Sequence, residues 1–319
     1  MKERDVLNWT KKHLLGIKEL DVEEIGLILN QAMVFKELLA KPIPKQPILN
    51  GLTVVHLFCE PSTRTRTSFE LAAKRIGADT VNFTATTSSF LKGETLKDTA
   101  RNIEAMRAEI IVMRHSCAGA PHFLAKHVNA SVINAGDGAH EHPTQALLDA
   151  FTIQEKLQRI EGLNVSIVGD ISHSRVALSN IFLLTKLGAK VTVCGPKTLI
   201  PAQIEKLGVH VTYDIKDALH NADVVNVLRI QFERQTEICF PSAREYSQCF
   251  GINAALLEKY AKKDVVVMHP GPINRELELS SDVADGEHSV ILEQVTNGVA
   301  VRMAILFLLG STKVGKKSI

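Results

Sequence analysis

The chain has 319 residues, 45% hydrophobic and 23% charged, the balance of a globular protein of one large or two ordinary domains, which excludes a disordered or fibrous chain. A formal charge of +2 is too small to advertise nucleic acid or a membrane surface as a partner, so any anion must be recognised by local groups. The cysteines Cys59, Cys117, Cys194, Cys239 and Cys249 form no C-x-x-C pair, which fits free thiols in a reducing compartment better than a disulfide framework or a zinc knuckle.

In chain order, Met1 to Asp5 leads into a mixed polar segment without the apolar core of a signal peptide, and a cytoplasmic location is expected. Val54–Phe58 reads as a buried strand, followed by a helix with Phe69, Ala72, Ala73 and Ile76 at helical spacing and Gly77 as its stop. Ile110–Met113 is a second strand and Val132-Ile133 a weaker one. His142–Arg159 reads as a helix with Pro143 in its first turn, where the missing N–H is not needed. Strands at Val165–Val168, Val191–Cys194, Val209–Thr212, Val224–Leu228 and Val265–Met268 follow, with a helix over Val176–Leu187 closed by Gly188.

Alternation of this kind implies an α/β chain of two domains, each with a mainly parallel sheet flanked by helices. The boundaries expected are residues 1–150, joined by a C-terminal helix within 289–319, and residues 151–288. The most apolar stretch, Val299–Leu309, is interrupted by Arg302 and is too short to span a bilayer, and the tail Lys313–Ile319 reads as mobile.

Glu60-Pro-Ser-Thr-Arg-Thr-Arg-Thr-Ser-Phe-Glu70 stands between a strand and a helix, with hydroxyls and guanidinium groups where the helix dipole favours negative charge. Arg64 can grip a phosphate with two parallel bonds. The plainer alternative is a Ser/Thr-rich cap, since Thr67 and Glu70 have capping-box spacing. Arg114 follows a strand, where either a solvated arginine or a ligand-binding one can sit. His142 stands at a helix N-terminus, which disfavours its charged form. His140 and Glu141 beside it do not complete a metal-ligand set, and no metal is expected. Ser88 and Lys92 lie in a hydroxyl-rich segment, Thr84–Thr95, that alone would read as a surface loop.

In the second half, Gly169-Asp-Ile-Ser-His-Ser-Arg175 has the strand-to-helix setting of a dinucleotide site without its G-x-G-x-x-G glycines. Arg175 there suits a carboxylate instead, and Arg229-Ile-Gln231 adds a cation and an amide after another strand. Two arginines, Gln231 and Lys92 favour a dicarboxylate and would repel a cationic side chain.

Ser62-Thr-Arg-Thr-Arg66, Lys92-Gly-Glu-Thr95, His142-Pro-Thr-Gln145 and His269-Pro-Gly-Pro272, in this order, resemble the aspartate/ornithine carbamoyltransferase family over essentially the whole chain. The resemblance implies carbamoyl transfer from carbamoyl phosphate to an amino acid, with no cofactor. It implies that Ser62, Thr63, Arg64, Thr65, Ser88, Lys92, Arg114, His142, Gln145, Gly271 and Pro272 bind carbamoyl phosphate. Arg64, Thr65, Lys92, Arg114 and His142 would be the catalytic set, with Thr65, Arg114 and His142 on the carbamoyl oxygen. Lys92, Arg175, Arg229 and Gln231 fall on positions that bind aspartate. Ornithine enzymes of the family carry Cys after the His of the last motif, where this chain has Pro270. Some aspartate enzymes carry Leu where it has Gly271.

The resemblance also implies a homotrimer in which the loop with Ser88 and Lys92 enters a neighbour's site, with regulatory or dihydroorotase chains as further possible partners. Three alternatives stay open: a sister enzyme using ornithine or a modified amino acid, an NAD-dependent dehydrogenase, and a non-catalytic anion-binding module.

Overall fold

The computed structural model describes residues 9–42, 45–84, 94–231 and 242–317. The chain divides into two units, Met1–Leu147 with Thr296–Ile319, and Leu148–Val295.

The first unit opens with α1 (Val22–Leu39), nucleated by a capping box. Asp21 accepts from the Glu24 N–H at 2.7 Å, and the Glu24 carboxylate accepts from the Asp21 N–H at 3.0 Å, so two orphan donors are satisfied reciprocally. β1 (Thr53–Phe58), α2 (Thr63–Arg75), β2 (Asp79–Thr84), α3 (Leu96–Ala105), β3 (Ile110–His115), α4 (Ala120–Ala125) and β4 (Ser131–Asp137) follow. The strands form one parallel sheet in the order β2-β1-β3-β4. The period of two divides each strand between faces: Val55, Leu57, Ile111, Met113 and Val132 pack with Ala100 and Ile103 of α3 and Leu124 of α4. On β1 the intervening His56 meets the Phe69 ring of α2 at 6.4 Å. α2 stops where Gly77 takes φ +84°; a Cβ there would stand 2.7 Å from Pro47 Cα.

α5 (Pro143–Leu157) carries the chain into the second unit. There follow β5 (Asn164–Val168), α6 (Arg175–Lys186), β6 (Lys190–Cys194), β7 (His210–Thr212), α7 (Ile215–Leu219), β8 (Val224–Val227), α8 (Ala243–Phe250), α9 (Ala254–Tyr260), β9 (Val266–Met268) and α10 (Ser281–Ala284). The sheet, again parallel, runs β7-β6-β5-β8-β9. Val168, Val225, Val227 and Val267 pack with Leu219, Leu257 and Leu279 on one face.

α11 (Ile291–Lys317) returns the chain to the first unit and corrects two expectations. Residues 313–317, expected as a mobile tail, continue the helix, and Lys313 Nζ donates to the Asn129 carbonyl at 2.9 Å. The helix is also longer than its apolar stretch suggested: Ile291–Lys313 is long and apolar enough to cross a membrane by length and composition. Packing gives that composition another explanation, since 72% of the apolar window is buried inside the fold. Arg302, 4% exposed, donates to Ser68 Oγ at 2.8 Å and lies over the Phe69 ring at 5.2 Å, locking α11 to α2.

Candidate active site

In each sheet the winding reverses once, and ligands of such sheets bind outside the carboxyl ends of the strands at that reversal. In the first sheet the reversal lies between β1 and β3, in the second between β5 and β8. Every sequence-predicted site residue among those described follows the C-terminal end of a strand or stands at it.

The register sets Phe58, the last residue of β1, against Arg114 of β3, and the Cys59 N–H donates to the Arg114 carbonyl at 2.8 Å. Arg114 Nε donates to Glu60 Oε1 at 2.7 Å and its Nη1 to Thr65 Oγ1 at 3.5 Å. The Arg114 and Glu60 side chains are only 14% and 16% exposed. A carboxylate thus orients one edge of the guanidinium while a buried hydroxyl of α2 meets the other. Arg64, one residue earlier, is exposed. The N-cap of α2 is Ser62, whose side chain makes no capping bond, and the first turn holds no acid. The capping-box alternative is overturned: Thr67 lies inside the helix, and Glu70 accepts from Lys74 at 2.6 Å and Asn82 at 3.3 Å. An uncapped N-terminus with two hydroxyls and a guanidinium favours negative charge in front of it.

His142, 4% exposed, directly precedes α5, with Nδ1 at 3.5 Å from Thr144 Oγ1 and its carbonyl accepting from the Gln145 N–H at 3.0 Å. Its neighbours are engaged elsewhere. His140 pairs with Asp137 at 3.1 Å, and Glu141 accepts from the Ile17 N–H at 2.8 Å. Asp137 also accepts from Asn134 and from the Gly119 N–H, so it ties the β4–α5 connection together.

In the second unit, Gly169 has φ +132°, and a Cβ on Gly195 after β6 would collide with the Gly169 carbonyl. This close approach shapes the Gly169–Arg175 loop. Asp170, fully buried, accepts from the His173 N–H at 3.1 Å and from its Nδ1 at 2.9 Å. Ser174 caps α6 by accepting from the Ala177 N–H, and Arg175, 3% exposed, is the first helical residue. The Leu228 N–H donates to the Val168 carbonyl at 2.8 Å, bringing the chain after β8 alongside this loop, and Gln231 Nε2 donates to the His173 carbonyl at 3.4 Å. Arg229 is half-buried between them in sequence.

After β9, His269 is 2% exposed, and its Nδ1 accepts from the Gly271 N–H at 2.8 Å. The proton is therefore on Nε2, which donates to Glu278 Oε1 at 3.2 Å. The Gly271-Pro272 peptide is cis.

Arg114 and Thr65 are thus brought into contact, as are Gln231 and the Arg175 loop. Ser88 and Lys92, with Cys239, lie outside the described residues. The other four cysteines are free, and burial, with the Glu60 charge, pushes the Cys59 thiol up to about 11. Sequence reasoning assigned no site role to Glu60, the Asp170–His173 pair or Glu278. The first three stand inside the motifs already singled out; Asp170, three residues before His173, carries a local signal, whereas Glu60, 54 positions from Arg114, carries none.

Residues 12–155 match the carbamoyl-P binding domain of aspartate/ornithine carbamoyltransferases, and residues 161–309 match the Asp/Orn binding domain. The aspartate carbamoyltransferase catalytic subunit of Cytophaga hutchinsonii is 62% identical over 302 residues, covering 95% of this chain and 98% of that protein. An aspartate transcarbamoylase of Trypanosoma cruzi, solved with carbamoyl phosphate and aspartate, has a TM-score of 0.86 at 30% identity, covering 95% of this chain and 98% of its own. The ornithine carbamoyltransferase of Pyrococcus furiosus has a TM-score of 0.82 at 32% identity, covering 94% and 97%. The fold is therefore common to both acceptor classes, the relative that is 62% identical is an aspartate enzyme, and the chain belongs to the aspartate/ornithine carbamoyltransferase family.

Proposed function

We propose that the chain transfers the carbamoyl group of carbamoyl phosphate to the amino group of L-aspartate, giving N-carbamoyl-L-aspartate and phosphate, an early step of de novo pyrimidine biosynthesis. The observation that carries this is the uncapped, acid-free start of α2 at the sheet's reversal, with Arg114 held onto Thr65 there. The unit containing it would bind carbamoyl phosphate, and the unit containing Arg175, Arg229 and Gln231 would bind aspartate.

The amine nitrogen attacks the carbamoyl carbon, a tetrahedral intermediate forms, the bond to the phosphate oxygen breaks, and phosphate takes the amine proton. Thr65, Arg114 and His142 would donate to the carbamoyl oxygen as it gains charge, while Ser62, Thr63 and Arg64 hold the departing phosphate. Gln145, with the carbonyls of Gly271 and Pro272, would orient the carbamoyl amide. Ser88 and Lys92 would come from a neighbouring chain of a cytoplasmic homotrimer, to which regulatory or dihydroorotase chains can attach. No cofactor or metal takes part.

Purified protein supplied with carbamoyl phosphate and either L-aspartate or L-ornithine should give carbamoyl-aspartate and no citrulline. Citrulline would keep the phosphate half and overturn the acceptor half; neither product from folded protein would overturn both.

A further inference from the structure

One buried carboxylate oxygen holds both ends of the loop after β9. Glu278 Oε1 accepts from His269 Nε2 at 3.2 Å and from the Asn274 N–H at 2.6 Å. His269 then uses its other nitrogen to hold the Gly271 N–H at 2.8 Å, so Glu278, the imidazole and the Gly271 amide form a relay. Pro272 has no N–H to offer. The Gly271 and Asn274 N–H groups are thereby turned toward the relay, and among the described residues neither the Gly271 nor the Pro272 carbonyl accepts a hydrogen bond. The same relay reaches the acceptor side, because Asn274 Nδ2 donates to the carbonyl of Ile230, the residue between Arg229 and Gln231.

Glu278 has no solvent exposure, and its second oxygen is buried without a partner among the described residues. A buried, half-satisfied carboxylate is a poor way to gain stability. A geometric role accounts for it better, since a hinge between Gly271, at φ +64°, and a proline needs its ends pinned if its carbonyls are to keep one orientation.

We propose that Glu278 is a positioning residue for carbamoyl transfer: through His269 and Asn274 it fixes the Gly271 and Pro272 carbonyls and registers them against the Arg229–Gln231 segment. The proposal rests on the substrate role given above to those carbonyls. It touches no substrate itself, and acts only by where it holds the loop.

Two substitutions separate geometry from charge. Glu278→Gln keeps an acceptor oxygen at the same reach and removes the charge, whereas Glu278→Asp keeps the charge and withdraws it by one methylene. Kinetics with carbamoyl phosphate and aspartate are measured on variants whose fold is checked by circular dichroism and whose competitive inhibition by inorganic phosphate is measured in parallel. Misplacement of a catalytic group by about 1 Å costs on the order of 100-fold, so Glu278→Asp should lose kcat by about that factor while Glu278→Gln stays within about threefold of wild type. Phosphate inhibition, which reads the first unit, should not move; a merely structural lesion would lower the melting temperature and leave kcat per folded enzyme unchanged. Glu278→Asp with near-normal kcat, or Glu278→Gln as impaired as Glu278→Asp, overturns the proposal. Where Glu278→Asp does not fold, His269→Asn, which can still accept from Gly271 but cannot reach Glu278, is judged by the same measures. Wild-type enzyme that makes no carbamoyl-aspartate would instead remove the functional reading beneath it, which distinguishes the two failures.

Discussion

Replacing Arg114 separates its proposed chemical task from its structural one. Its guanidinium spans Glu60 Oε1 at 2.7 Å and Thr65 Oγ1 at 3.5 Å, two contacts from different edges of one planar group. Lysine keeps the charge but presents a compact ammonium that cannot span both. One misplaced donor to a developing oxyanion costs about 3 kcal/mol, or on the order of 100-fold in rate, so Arg114→Lys should lower kcat by that factor. Arg114→Met should lower it at least as much, and it also strips Glu60 of this partner at a pair whose side chains are 14% and 16% exposed. Part of that loss is solvent-screened, so the stability cost should be about 1–2 kcal/mol, below the range for a fully buried pair. Adding Glu60→Gln to Arg114→Met should recover most of the stability and none of the activity. The assay is a double-mutant cycle read twice, by urea unfolding and by carbamoyl-aspartate formation at saturating substrates. Arg114→Lys with near-normal kcat would refute the assignment, and so would a double variant whose activity recovers together with its stability.

Further outcomes are expected elsewhere. Arg175→Ala should raise the KM for aspartate by on the order of 10-fold or more while leaving inhibition by inorganic phosphate unchanged, since a charged hydrogen bond is worth about 1.5–3 kcal/mol. Steady-state kinetics with each substrate varied in turn checks this. Asp149 accepts from Asn180 and from Gln294, each at 2.8 Å, in a site where Asp149 and Asn180 have no exposure and Gln294 has 3%. Asp149→Ala strands both amides and should cost about 3 kcal/mol in urea unfolding, with Asp149→Asn less harmful. His13 has its pKa lowered from 6.5 to about 4, by burial first and then by the charges of Lys12 and Lys313. Its folded-state pKa lies below its unfolded value, so its contribution is complete above pH 6.5 and is lost as pH falls toward about 4. His13→Asn offers the Val132 N–H another acceptor without titrating, and its melting temperature should fall less steeply than wild type across that interval.

The α/β class was legible because strands at Val54–Phe58, Ile110–Met113 and Val165–Val168 are buried on both faces and read as continuous apolar runs. β2 is not legible in the sequence for the complementary reason. As an edge strand it carries Asn82 and an exposed Val81, and its pattern looks like a polar loop. The start of α1 is legible in the sequence, since Asp21 and Glu24 spell out its capping box. The helical tail could not be read from Lys313–Ile319 alone: its polar residues extend a helix whose stability is supplied by the buried stretch before it.

The sequence by itself determined which short segments follow strands and which chemistry they carry, because strand period, helix stops and a hydroxyl- and arginine-rich helix start are local properties. Tertiary structure alone decided which of those segments meet. Arg114 and Glu60 are 54 positions apart and Asp149 and Gln294 are 145 apart, and no local spacing encodes either pairing. The order of strands sets the first, since β1 beside β3 puts the acid of one loop against the cation of the other, and the packing of α11 on α5 sets the second. That order follows from how apolar faces are covered by helices across the whole chain, a collective property that single motifs do not contain.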